Sequence, residues 1–197
     1  YGQEYRLTAS MPEQDDLSLD QPFEYIFQTS QSFSFDLVAV GDVMLDQLTR
    51  ERRRDYDVNY PLSQIKDITS SGDLNFANLE CPITQGGEPA DKKYVFRAPP
   101  YTAEVLRLGG FNLVSLANNH VLDYGPEGLV DTISTLEEMG IAHAGAGPNE
   151  GEARQGTMLE VNGLAVGFLA YTLPAPYWQY AAWAASTGQP GTVFYRD

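Results

Sequence analysis

The sequence is short of the residues that most often cross-link a chain or bind polyanions. It has one cysteine, Cys81, so no intrachain disulfide can form, and that fact says little about compartment. Lys and Arg together number 12 against 27 Asp and Glu, for a net charge of −15. Nucleic acid is thereby excluded as a partner, because phosphate contacts need clustered cations. Any polyanionic ligand would be repelled unless a metal ion or a local basic patch reverses the field. No stretch approaches the length of a membrane-spanning helix.

What remains is globular material. The 197 residues are 43% hydrophobic, enough for one domain with a core. Two small basic patches stand out, Arg50 with Arg52, Arg53 and Arg54, and Lys92 with Lys93 and Arg97. The plain reading of such patches is solvated surface, and it is favoured for the arginine run. Cys81 follows Glu80 directly and reads as a buried, inert thiol.

Residues 1–34 differ from the rest. Glu4, Glu13, Asp15, Asp16, Asp20 and Glu24 are scattered among Ser, Gln and Pro with little periodicity, which predicts a polar acidic arm or linker. From Phe35 to Asp197 the pattern is α/β: a mainly parallel sheet with flanking helices and a β-hairpin. Strands are expected at 35–42, 73–80, 111–117 and 141–146, each a short apolar run. Pro61 opens a short helix, Thr102 caps a second that Gly109-Gly110 end, and Pro126 starts a third closed by Gly140. Residues 157–161 and 164–171 flank Asn162-Gly163, a type I′ hairpin signal. The aromatic tail at 171–186 reads as a packing face rather than a lid.

Ligands in open parallel sheets bind beyond the carboxyl ends of the strands. Here the first strand ends in Gly41-Asp42 with Asp46 beyond, the second in Asn78-Leu79-Glu80, and the third in Asn118-Asn119-His120 followed by Asp123. Carboxylates, amide oxygens and an imidazole on one rim suit hard or borderline divalent metals. Polar ends in three successive strand–helix units put the functional reading ahead for Asp42, Glu80, Asn119 and His120. Asp123 either orients the imidazole or serves helix entry. Asn78 shares a strand face with Glu80, or bonds loop backbone. Asp46 joins the rim or caps the next helix. His143, inside an apolar strand, reads as structural.

The runs AVGDVMLD (39–46), FANLECP (76–82), SLANNHVLDYG (115–125) and GAGPNEGEA (145–153) resemble, in this order, the bacterial capsule-synthesis (poly-γ-glutamate, CapA-type) family. That family looks like a branch of the calcineurin-like metallophosphoesterases. The resemblance implies a partial metallophosphoesterase-like domain with Asp42, Glu80 and Asn119 as metal ligands; the strand-end reading, not the resemblance, adds Asp46 and Asn78 at the substrate or behind the ligands. His120 would act on the leaving oxygen, with Asp123 beside it. The resemblance implies a divalent cofactor (Mn, Zn, Fe, Mg or Ca) and an anionic polymer, poly-γ-glutamate, or a phosphoester as substrate. It also implies membrane synthase subunits as partners, and a cell-envelope, extracytoplasmic location with a membrane anchor upstream of Tyr1.

The sequence departs from the pattern at Met44, which stands where the metallophosphoesterase histidine would be. The family's later His-Trp-Gly and Gly-His-x-Pro-His segments do not occur, so a two-metal centre cannot be completed from His120 and His143, and the chain is expected to be part of a longer protein or an unusually short member. A non-catalytic binding role and a general phosphoesterase remain as alternative readings.

Overall fold

The computed structural model describes residues 3–9, 23–29, 33–46, 58–173 and 182–195. The arginine patch at 50–54 and part of the aromatic tail lie outside them. The chain divides into two units, Tyr1–Ser34 and Phe35–Asp197. In the first, β1 (Gln3–Ala9) pairs antiparallel with β2 (Phe23–Thr29). That pairing is not visible as periodicity in the sequence of the arm.

The second unit is built on a parallel sheet in the order β3 (Leu37–Val43), β4 (Leu74–Leu79), β5 (Leu113–Ser115), β6 (Ala142–Ala144). Strand order follows chain order, so every crossover joins neighbours and all four carboxyl ends lie on one edge. The connections carry α1 (Lys66–Thr69), α2 (Ala103–Leu108) and α3 (Gly125–Glu138). Pro126 at the start of α3 spends its missing N–H where no helical partner exists. At the other end Gly140 takes φ 68°. Thr102 departs from its expected role as a side-chain cap: a 3₁₀ turn precedes α2, and the Thr102 hydroxyl donates backwards to the Pro99 carbonyl at 2.6 Å. Pro61 likewise lies in a 3₁₀ turn, and α1 follows as a single turn.

Strand alternation sorts the side chains. Ala77, Leu79, Val114 and Leu116 join Val105 and Leu106 of α2 and Leu129, Ile133 and Leu136 of α3 in one buried cluster. Phe76, on the opposite face, meets Phe168 with ring centroids 5.0 Å apart. Phe168 belongs to the hairpin of β8 (Thr157–Val161) and β9 (Leu164–Phe168), which follows β7 (Ala146–Gly147) and α4 (Glu150–Gln155). Asn162 (φ 50°) and Gly163 (φ 80°) turn it as the Asn-Gly pair predicts. Asn149 caps α4 by accepting from the Glu152 N–H at 3.1 Å. A last short strand, β10 (Gly191–Thr192), pairs antiparallel with β7.

One irregularity matters for the site. Leu37, Val38 and Ala39 oppose Leu74, Asn75 and Phe76, but Asp42 opposes Asn78. Val40 and Gly41 therefore face a single residue, Ala77, in a β-bulge. The extra residue moves Asp42 onto the face that carries Asn78.

Candidate functional site at the strand ends

The carboxyl edge of the sheet holds a continuous polar network. Asn78, at the end of β4, donates through Nδ2 to Asp42 Oδ1 at 2.8 Å and to Glu80 Oε2. Its Oδ1 accepts from Asn118 Nδ2 at 3.1 Å. Asn118 Nδ2 also reaches the Leu79 carbonyl at 2.8 Å, and Asn118 Oδ1 accepts from the His120 N–H at 2.9 Å. The His120 imidazole continues the chain, with Nδ1 2.8 Å from Asp123 Oδ2. Asp42, Asn78, Glu80, His120 and Asp123 are thus brought together, as the strand-end argument expects.

Local backbone positions each group. The Glu80 N–H donates to the Val43 carbonyl at 3.1 Å, extending the β3–β4 ladder one residue past β4. Cys81 is buried beside it, and its Sγ accepts from the Leu45 N–H at 3.4 Å. Burial pushes that thiol up to about 12, so it is a packing residue and not a nucleophile. Behind His120 the fully buried Asp123 accepts the Phe96 N–H at 2.7 Å on Oδ2, while its main-chain carbonyl accepts from Ala90 at 2.8 Å. The loop from Gln85 to Arg97 is therefore tied to this one aspartate. The Phe96 ring stacks at a tilt of 52° on the His120 ring, centroids 4.7 Å apart.

Two expected residues sit differently. Asn119 has an exposed side chain, and its main-chain carbonyl accepts from Lys92 Nζ at 2.7 Å. Asp46 is buried, and its Oδ2 accepts from the Arg97 N–H at 3.0 Å, pinning the far end of the same loop. Two residues of the network escaped the sequence reading. Asn118 was visible only as part of the Asn-Asn-His run. Lys92 belongs to a basic patch whose plain reading is solvated surface, yet its side chain is 6% exposed and forms an ion pair with Asp123. No local signal singles it out, because Lys93 and Arg97 lie in the same loop. His143 lies in β6 away from this network, 3.9 Å from Glu137; burial lowers its pKa, against the opposing pull of Glu137.

The electrostatics bear on a metal ion. Glu80 has a raised pKa, chiefly from burial and then from the nearby negative charge of Asp42, opposed by His120, Asn78 and Lys92. Two carboxylates held together by one amide are what a hard divalent cation would relieve. The donor set fits part of such an ion's shell: Asp42 and Glu80 as carboxylate oxygens. Among the described residues no group of three or more His, Cys, Asp or Glu is arranged to hold a metal.

Comparison with known proteins places the chain in a family. The sequence profile described as bacterial capsule synthesis protein PGA_cap matches residues 36–194. The chain is 29% identical over 140 residues to a capsule biosynthesis protein CapA of Bacillus anthracis, covering 69% of this chain and 34% of that protein. It is 34% identical over 126 residues to a probable polyglutamine synthesis accessory protein of Mycobacterium tuberculosis, covering 64% of this chain and 33% of the relative. It is 25% identical over 148 residues to a PGA biosynthesis protein CapA of Bacillus subtilis, covering 72% and 39%. The chain thus matches these relatives over only 33% to 39% of their length.

Proposed function

Because this chain belongs to the bacterial capsule synthesis protein (PGA_cap) family, we propose that the protein takes part in making or exporting poly-γ-glutamate, and that its strand-end rim is a metal-dependent hydrolase site. The observation that carries the reading is the unbroken hydrogen-bonded path from Asp42 through Asn78 and Asn118 to His120. A path of that kind couples groups from three strand ends and gives each a fixed orientation, which positioning of a reacting bond requires.

Asp42 and Glu80 would hold a divalent ion, with the exposed Asn119 amide within the same segment as His120. Such an ion supplies Lewis acidity and a more acidic water. Asn78, by donating to both carboxylates, directs their remaining lone pairs outward. His120 has Nδ1 committed to Asp123, so Nε2 is the nitrogen left for proton transfer to or from the scissile group. The substrate would be the anionic polymer or a phosphoester, and membrane synthase subunits would be the partners, in the cell envelope.

The test is metal-dependent stability of the full-length protein. Mn, Zn, Mg or Ca at about a hundredfold its dissociation constant should stabilise by about 2.7 kcal/mol. Asp42→Asn with Glu80→Gln should abolish that gain, and His120→Ala should abolish turnover while leaving it intact. No stabilisation by any of the four ions would overturn the reading.

A second reading has its own support. The lack of a three-residue metal cluster among the described residues favours a non-catalytic site that binds polymer or partner subunits. It requires that polymer production survive replacement of Asp42 and His120.

A further inference from the structure

We propose that Lys92 is a positioning residue for His120, holding the Asn119–His120 peptide and the Asp123 carboxylate so that the imidazole has a single seat. Its functional meaning rests on the hydrolase reading above, but the seat itself is measured independently of any activity.

Lys92 leaves the loop from Gln85 to Arg97 and points inward. Its ammonium pairs with Asp123 Oδ1, donates to the Asn119 carbonyl at 2.7 Å, lies 3.2 Å from His120 Nδ1, and sits over the Trp183 ring at 4.8 Å. A lysine has donors only, and a neutral imidazole nitrogen either donates or accepts. Nδ1 therefore cannot serve Asp123 and Lys92 at once. The carboxylate wins: it is nearer, at 2.8 Å against 3.2 Å, and Lys92 donates instead to the Asn119 carbonyl while ion-pairing with Asp123 Oδ1. Lys92 thus reaches His120 through its two neighbours and does not touch the nitrogen left for chemistry.

The arrangement brings three segments onto one nitrogen: the Gln85–Arg97 loop, the segment from Asn118 to Asp123, and the 182–195 segment that carries Trp183. Desolvating a lysine and an aspartate offsets most of their attraction, so such a pair is a weak source of stability. Its effect is geometric. The same loop supplies the apolar half of the seat, because Phe96 stacks on the ring that Lys92 secures from the polar side.

Phe96 also provides the readout. Its ring current displaces the His120 ring-proton resonances, and Phe96→Leu in the full-length protein measures by how much. With histidine-labelled protein at a fixed alkaline pH, and His120 assigned by its loss in His120→Gln, Lys92→Met should remove most of that displacement. Lys92→Arg should keep it, and the His143 resonances should not move in either. Should Lys92→Met fail to fold, Lys92→Gln, which keeps an amide donor group but no charge, is expected to remove part of the displacement. Unchanged His120 resonances in Lys92→Met, or in Lys92→Gln if that is the variant that folds, would overturn the proposal. Displacement lost in a protein that shows no metal response would leave the seat established and the hydrolase reading overturned.

Discussion

Asn118 donates one hydrogen bond to Asn78 and accepts another from the backbone of His120, so a single buried amide joins the second and third strand ends. Asn118→Ala would strip partners from the Asn78 Oδ1, the Leu79 carbonyl and the His120 N–H. Leaving buried polar groups unpaired costs about 1–3 kcal/mol. Urea denaturation should show a loss of that size, and any metal-dependent stabilisation should weaken with it. A neutral Asn118→Ala would mean that water replaces the amide without penalty.

Thr132 offers a cleaner measure of the scaffold away from the site. Its hydroxyl accepts from the Ile83 N–H at 2.8 Å and donates to the Gly128 carbonyl at 2.6 Å, all buried. Thr132→Val keeps the shape and deletes both bonds. The orphaned Ile83 N–H should lower stability by about 1–3 kcal/mol, with no change in metal response.

His143 predicts a pH effect. Its pKa is lowered by burial, so the unfolded chain takes up this proton at a higher pH than the folded one. Between the folded value and the ordinary histidine value near 6.5, the unfolded state binds more protons, and stability must fall as pH falls. Above that window the contribution is flat. His143→Gln should remove this part of the acid-side slope in melting temperature plotted against pH. A slope identical in the variant would show that other groups cause it.

Gly87 controls the loop that carries Lys92 and Phe96. It has φ 75°, and a Cβ there would stand 2.0 Å from the Tyr124 carbonyl oxygen. Gly87→Ala must displace backbone, and a strained left-handed alanine adds to this. The melting temperature should drop, and the His120 ring-proton resonances should move as they do in Lys92→Met. A fully native melting temperature would mean that the loop is free to shift.

The parts legible in the sequence were those with local signatures. Apolar runs ending in Gly-Asp, Asn-Leu-Glu and Asn-Asn-His marked three strand ends, and chain-order crossovers put them on one edge. The Asn162-Gly163 turn and the Gly140 stop were equally local. Lys92 and Asn118 were harder, because what defines them is a partner 27 to 40 residues away. A lysine in a Gly- and Pro-containing loop carries no period that separates burial from exposure. β10 is two residues long and has no pattern at all; only its pairing with β7 makes it a strand. Thr102 shows the limit of cap chemistry, since the preceding 3₁₀ turn gave its hydroxyl a nearer acceptor.

The bulge at Val40–Gly41 has an implication for how variants should be sought. Deleting one codon there, while leaving every acidic side chain in the gene, would turn Asp42 to the wrong side of its strand. Point-substitution libraries sample identity at fixed length and would pass over this control. A scan of single-residue deletions and insertions across 39–42 would find it, with loss confined to changes that alter the parity of the count.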